Sequence, residues 1–328
     1  MIIKWDRYPQ EIVEKLKCHR VMKSVRHQPR IFADTSDFTS ITYGDIIHVD
    51  GRYFIVVGHT REGRFGIDSQ IKPWVPKVQD LMSGERFIIK LVFHETYEVT
   101  FSQLKVTCFR SPEKEARVLE LVGDNPYFMH GYSVLDEAGN LVRILDIVDG
   151  RRLDSHVTKL GANHEEYVAE HLKEMLVRFL TSVAGVRLLH DNGLKHGDIR
   201  RDHIFVDRGD GTFRWIDFDY DFYLPERPFA LDLFGLGNVL LFLLGQQNFR
   251  HSDVINHPNM GEKVMDTITA DDLALISQDR VFNLQKLFPY IPDSLNNILL
   301  HFSFGSQVLY NSVAEFENDL QQAVDTLP

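Results

Sequence analysis

A single change of texture near residue 150 constrains this chain more than any one residue does. From Ile41 to Gly150, short runs such as DIIHVDGRYFIVV, ERFIIKLVF and NLVRILDIV are rich in branched and aromatic residues and are parted by Gly, Asp or Asn. That is the pattern of strands joined by tight turns. One stretch interrupts it: Ser111 and Pro112, a good N-cap and a good first helical residue, precede EKEARVLELV and predict a short helix. Beyond Gly150 the apolar residues follow three-and-four spacing, as in Val168, Leu172, Met175, Leu176, Phe179, Leu180 and Val183, which predicts a buried helical face. Close to the end, Ser312 and Glu315 form a capping box for a helix with Val313, Phe316, Leu320 and Val324 on one face. The expectation is an α+β chain with a β-rich half and an α-helical half. Its divisions are an N-terminal extension over 1–50, a β-rich lobe over 51–150 and a helical lobe over 151–328. Ile41 to Val57 adds β structure to the extension, and the stretch before it suits a docking arm.

Composition narrows the function classes. The net charge of -11 over 328 residues repels a phosphate backbone, which argues against nucleic acid as a partner. Lys17, His19, Arg20, Lys23, Arg26, His27 and Arg30 form a local basic group, either a solvated surface or a docking site for an anionic partner. With only Cys18 and Cys108 and no CxxC pair, neither a disulfide framework nor a cysteine zinc site is available, and a reducing cytoplasm fits. The start MIIKWDRYPQ lacks an apolar leader, and the longest apolar run, Val239 to Leu244, is too short to span a bilayer.

Four segments carry chemistry. REGRFGID, residues 61–68, places Gly63 and Gly66 where backbone N–H groups could close over phosphates, or where a plain hairpin turn sits. Lys90 interrupts the apolar strand FIIKLVF, so it either faces solvent or lies beside a carboxylate, for which Glu115 is a candidate. LKHGDIRRDHIF, residues 194–205, is a densely charged loop between a long helix and a short strand, a rigid mount for reactive groups such as Asp198. Asp217, Asp219 and Asp221 follow the strand TFRWI, and oxygen ligands at a strand end suit a hard cation such as Mg²⁺.

In this order the segments resemble the protein kinase-like superfamily, from about residue 53 to the C-terminus. The resemblance implies a two-lobed kinase fold, with Lys90 on the ATP phosphates and Glu115 orienting it. LVRILDIVDGRRL resembles the hinge, implying adenine hydrogen bonds to the backbone of Asp146 and Val148. LHDNGLKHGDIRRDHIFV resembles the catalytic loop, with Asp198 as the catalytic aspartate, Arg200 beside it and Phe205 against the nucleotide. IDFD resembles the metal-binding segment, with Asp217 as the ligand. ALDLFGLGNVLLFLLG resembles the helix whose aspartate, here Asp232, braces the catalytic loop. IPDSLNNILL and YNSVAEFENDL resemble the closing helices of bacterial Ser/Thr kinases. The implied reaction is transfer of the γ-phosphate of ATP to a hydroxyl, with Mg²⁺ or alternatively Mn²⁺ as cofactor. The acceptor is a protein serine or threonine, or alternatively a small molecule such as a sugar; a nucleotide-binding scaffold is the reading outside enzymes.

The chain departs from that pattern in four places. His196-Gly197-Asp198 lacks the arginine that normally grips a phosphorylated activation loop, which argues against control by that route. Only nine positions separate Asp217 from Glu226, and fifteen separate it from Asp232, short for an activation segment and a peptide groove. Asp219 replaces a glycine, a permissive backbone position. His203 stands where an asparagine would hold a second metal, and imidazole suits Mn²⁺ or Zn²⁺ better than Mg²⁺. Lipopolysaccharide core sugar kinases resemble the chain at this histidine, and Asp219 or Asp202 could add a carboxylate to the metal.

Overall fold

A computed structural model describes residues 4–64, 67–101, 104–258, 260–276, 279–306 and 308–327, without the side chains of 62–64, 67–68, 101 and 104. The chain forms two units. The first comprises Met1–His94, Pro112–Asp124 and Met129–Ile147, and the second Glu95–Ser111, Asn125–Phe128 and Val148–Pro328.

The first unit is built on a seven-stranded sheet. Its strands are β1 (Ile31–Phe32), β2 (Ile46–Val49), β3 (Arg52–Arg64), β4 (Ile67–Asp80) and β5 (Arg86–Lys90), with the later β8 (Gly131–Leu135) and β9 (Leu141–Asp146), in the order β1-β2-β3-β4-β5-β9-β8. Every neighbouring pair is antiparallel except β1 with β2. The β2–β3 turn is Asp50-Gly51, both at positive φ (56° and 66°), which is the twist a two-residue hairpin needs. Alternation along β3 then sorts the side chains: Phe54 and Val56 join one core with Val78, Ile89 and Ile144, while Ile55 points to the other face.

That other face is where the first residues go. Helix α1 (Gln10–Cys18) buries Ile12 and Leu16, and with Val21 they cover Ile46, Ile55 and Leu81. Each such side chain contributes roughly 1.5–3 kcal/mol on full burial. Residues 4–50 are thus packed into this unit, a correction to the expected docking arm and separate extension. Helix α2 (Pro112–Val122) begins at the expected proline and packs on β8 and β9.

The second unit contains two small sheets and the remaining helices. Strands β10 (Gly150–Arg152), β11 (Ile204–Asp207) and β12 (Phe213–Trp215) are antiparallel in that order. The other sheet joins a hairpin, β6 (Thr96–Phe101) and β7 (Leu104–Arg110), to the distant strand β13 (Tyr220–Tyr223), in the order β13-β7-β6. Residues 95–111 were expected in the β-rich lobe; their backbone pairing with β13 places them in this unit instead.

The helices are α3 (Leu153–Val157), α4 (His164–Glu170), α5 (Leu172–Asp191), α6 (Ala230–Gly245), α7 (His251–Ile255), α8 (Gly261–Met265), α9 (Asp293–Leu300) and α10 (Val313–Asp325). The stripe read as one face is split at His171 between α4 and α5, yet Leu172, Met175, Leu176, Phe179, Leu180 and Val183 are all buried. Ser312 caps α10 by accepting from the Glu315 N–H, while the Glu315 carboxylate accepts from Asn311 rather than from Ser312. No helix among the described residues is long and apolar enough to cross a membrane.

Candidate active site

Two polar constellations, one in each unit, collect most of the residues singled out above. In the first unit, Lys90 and Arg143 stand opposite each other in the β5–β9 pairing. Both reach Glu115 on α2. Lys90 Nζ donates to Oε1 at 2.7 Å and Arg143 Nε to Oε2 at 3.2 Å. Lys90 is 6% exposed and Glu115 fully buried, so this is an ion triad rather than a surface pair. The Arg143 guanidinium also donates to the carbonyls of Leu141 and Leu91, which fixes its plane. Glu115 was foreseen as the partner of Lys90, whereas Arg143 was missed. Its signal is the same as that of Lys90: a cation inside an apolar strand run, here LVRIL.

In the second unit the loop 196–203 hangs on Asp232, the third residue of α6. The fully buried Asp232 carboxylate accepts the backbone N–H groups of His196 (2.7 Å) and Gly197 (2.8 Å), and His190 Nε2 lies 3.0 Å from it. Burial alone would push this carboxyl up, but the His190 hydrogen bond, with His196 and the Gly197 N–H, holds it down at about 2. The loop is therefore tied at two successive amides.

Gly197 explains one departure from the family pattern. It adopts φ +87°, and a Cβ there would lie 1.7 Å from the carbonyl oxygen of Tyr220 in β13. No side chain fits beneath that strand. The neighbouring Lys195, not singled out by sequence, pins the same strand by donating to Asp221 Oδ1 at 2.9 Å.

Asp198, His203 and Asp217 form the centre of this constellation. His203 Nδ1 lies 2.9 Å from the Asp198 main-chain carbonyl, so that nitrogen carries the proton and donates. The same nitrogen is 3.4 Å from Asp198 Oδ2, and Nε2 lies 3.7 Å from Asp217 Oδ2. Burial pushes the Asp198 carboxyl above the ordinary carboxylate range; His203 and Arg200 oppose this, while Asp217 and Asp219 add to it. Asp217 sits at φ +62°, a left-handed conformation that costs a non-glycine residue about 1–3 kcal/mol and is held by its surroundings.

The other expected residues are placed as follows. Arg200 is held by Asp202 through Nε (3.1 Å) and Nη2 (2.8 Å), with Nη1 4.0 Å from Asp198 Oδ2. Burial favours the neutral form of Asp202, but His203 and Arg200 outweigh it and hold its carboxyl low. Among the described residues, neither Asp202 nor Asp219 joins Asp217 and His203 in a group of three side chains placed to hold an ion. Asp219 Oδ2 instead accepts from Arg110 Nη1 at 2.6 Å, in a pair with both side chains almost wholly buried. Phe205 is half-buried in β11. Asp146 ends β9, with its N–H donated to the His130 carbonyl, and Val148 lies in the segment between β9 and β10. Gly63 lies in β3, and Gly66 lies outside the described residues.

The donor chemistry was tested against the metal implied by the resemblance. Asp217 Oδ2 and His203 Nε2 are near enough to bind one ion at distances of about 2.1 Å. Among the described residues no group of three His, Cys, Asp or Glu side chains is placed to hold an ion. Two such donors would leave most of an ion's shell to other oxygens, as hard divalent cations with one or two protein ligands commonly have.

Comparison with known proteins gives relatives of one kind. No protein-family model matches the sequence. The chain is similar to the death-associated protein kinase dapk-1 of Caenorhabditis elegans, 28% identical over 162 residues, covering 49% of this chain and 11% of that protein. It is also similar to the sperm motility kinase Tcr mutant form of Mus musculus, 24% identical over 239 residues, covering 63% and 46%. The matches thus span less than half the length of either relative. Among solved structures, the kinase domain of Mycobacterium tuberculosis PknI aligns with a TM-score of 0.48 and 14% identity, over 86% of this chain and 99% of that one.

Proposed function

We propose that this chain, a member of the protein kinase-like superfamily, is a metal-dependent phosphotransferase that moves the γ-phosphoryl group of ATP to a hydroxyl, with a protein serine or threonine as the leading acceptor. The observation that carries the reading is the loop 196–203: buried Asp232 holds two of its amides, and His203 sits between Asp198 and Asp217. Asp198 orients the acceptor hydroxyl and takes its proton as the new P–O bond forms and the bond to the ADP oxygen breaks. Lys90, oriented by Glu115, offers its ammonium to phosphate oxygens. Asp217 and His203 Nε2 would hold the divalent ion, which when bound neutralises charge on the phosphates. The protein forms no covalent intermediate and contributes position and charge.

The test is ATP turnover with Mg²⁺ and with Mn²⁺, beside Asp198→Ala. Loss of a general base lowers the rate by about 10² to 10⁴, and that drop is expected here. Equal turnover in the variant sinks the assignment of Asp198. Stabilisation of the unaltered chain by nucleotide with no turnover identifies a scaffold instead.

One observation favours a second acceptor class. Strand β13, which begins three residues after Asp217, is already paired along one edge with β7, and the segment to Asp232 is short. Such an arrangement suits a small hydroxyl compound such as a sugar. Turnover stimulated by a sugar-containing extract and not by protein acceptors selects it.

A further inference from the structure

Arg110 is the best-connected buried cation of the second unit, and nothing in the proposed chemistry uses it. Its side chain is 2% exposed. Nη1 donates to Asp219 Oδ2 at 2.6 Å, Nε donates to Glu95 Oε2 at 3.0 Å, and the guanidinium carbon lies 4.1 Å from the Tyr220 ring centroid. The Tyr220 hydroxyl closes the circuit by donating to the same Glu95 oxygen at 2.6 Å. Main-chain bonds follow the same path: Arg110 is in register with Tyr220, and the Ser111 N–H donates to the Asp219 carbonyl at 2.7 Å.

These contacts converge on residues 219 and 220, immediately after Asp217. Asp217 itself is in a left-handed conformation that its neighbours must hold. The loop with Asp198 meets this stretch through His203, whose Nε2 lies 3.7 Å from Asp217 Oδ2, and through Gly197, which gives way to the Tyr220 carbonyl. A second support comes from the hairpin β6–β7, which reaches the stretch through main-chain pairing and through one planar, permanently charged fork.

We propose that Arg110 is a positioning residue, and that the hairpin Thr96–Arg110 is a built-in clamp that holds Asp217 in place without covalent modification of the segment after it. The inference deepens the phosphotransferase reading and rests on it, because it takes Asp217 as the residue that holds the metal. Arg110 is bonded to Asp219 and Glu95 and lies over the Tyr220 ring, and its charge is also within electrostatic reach of Asp217. Support of this kind around a metal ligand is typically worth about 10- to 100-fold in metal affinity or activity.

The experiment uses the full chain and two variants. Arg110→Lys keeps the charge but cannot bridge Glu95 and Asp219 as a fork. Glu95→Ala cuts the brace at a partly exposed side chain, so it is the variant expected to keep its fold if Arg110→Lys does not. Turnover is measured against Mn²⁺ concentration at saturating ATP, with thermal midpoints in parallel and with unaltered protein before and after phosphatase treatment. The clamp predicts a half-saturating Mn²⁺ concentration raised about tenfold or more in a variant that melts cooperatively, and turnover of the unaltered chain untouched by phosphatase. A purely structural role would lower the midpoint and the amount of active protein but leave that concentration unchanged; this outcome overturns the inference alone. Loss of turnover after phosphatase also overturns it alone. An unaltered chain that never turns over ATP removes the phosphotransferase reading first, and the inference with it.

Discussion

Gly197→Ala adds one methyl group, and the structure makes its cost calculable. A left-handed residue with a Cβ carries a conformational penalty of about 1–2 kcal/mol. The larger difficulty is space. The new carbon would lie 1.7 Å from the Tyr220 oxygen and 2.5 Å from its carbonyl carbon, whereas C···O contacts settle at about 3.3–3.6 Å, so loop and strand must part by about 1.6–1.9 Å. Neither side is free to yield. Gly197 is tied to Asp232 through its N–H, and β13 is paired with β7 over four residues. Overpacking of this kind costs about 1–3 kcal/mol, giving about 2–5 kcal/mol in all and, for a unit of this size, a fall in thermal midpoint on the order of 10 °C. Gly193→Ala is the control: φ is +69°, but nothing lies within 4 Å of the added carbon, so only the conformational penalty applies. Thermal unfolding and ATP turnover are followed for both variants. If Gly197→Ala unfolds like Gly193→Ala and keeps full turnover, the argument that β13 dictates this glycine is wrong.

Two further outcomes follow from buried charges. Glu115→Ala strands Lys90 and Arg143 in the interior of the first unit, which is expected to cost about 3–5 kcal/mol in urea unfolding; a cost below about 1 kcal/mol means that water or another carboxylate replaces Glu115. Asp232 titrates at about 2 in the folded chain against 3.8 for the ordinary carboxyl. Its depressed value makes it a source of stability that is fully present above pH 3.8 and lost as pH falls toward 2. The contribution is about 2 kcal/mol. Urea midpoints measured between pH 5 and pH 2 should fall less steeply for Asp232→Asn than for the unaltered chain, and parallel slopes contradict the assignment.

What could be read from sequence here is what is local. Strand and helix periods differ within a few residues, so the β-rich and helical stretches, the Pro112 start and the Ser312 cap were all legible. Lys90 was legible as a charge in an apolar run, and Arg143 carried the same signal one strand away. The first fifty residues were opaque because α1 is nine residues long and buries only Ile12 and Leu16, too few positions to show a period. The hairpin was opaque for a different reason. Its pairing with β13 joins residues about 110 positions apart, and the turn rules that fix register reach only across short loops.

That one long-range pairing accounts for departures that, taken singly, resemble losses. Gly197 stands where the family has an arginine because the Tyr220 carbonyl occupies the space of any side chain. Asp219 stands where the resemblance predicts a glycine, and its carboxylate accepts from Arg110. The stretch between Asp217 and Asp232 is short, and its first strand is completed by a hairpin from earlier in the chain. Gly197 in the loop and Arg110 on β7 are therefore linked through the strand that excludes a side chain at the one and receives the other. A Gly197→Arg variant with β13 left in place would force a side chain into space that the Tyr220 carbonyl fills, and the 1.7 Å contact leaves room for only one of the two.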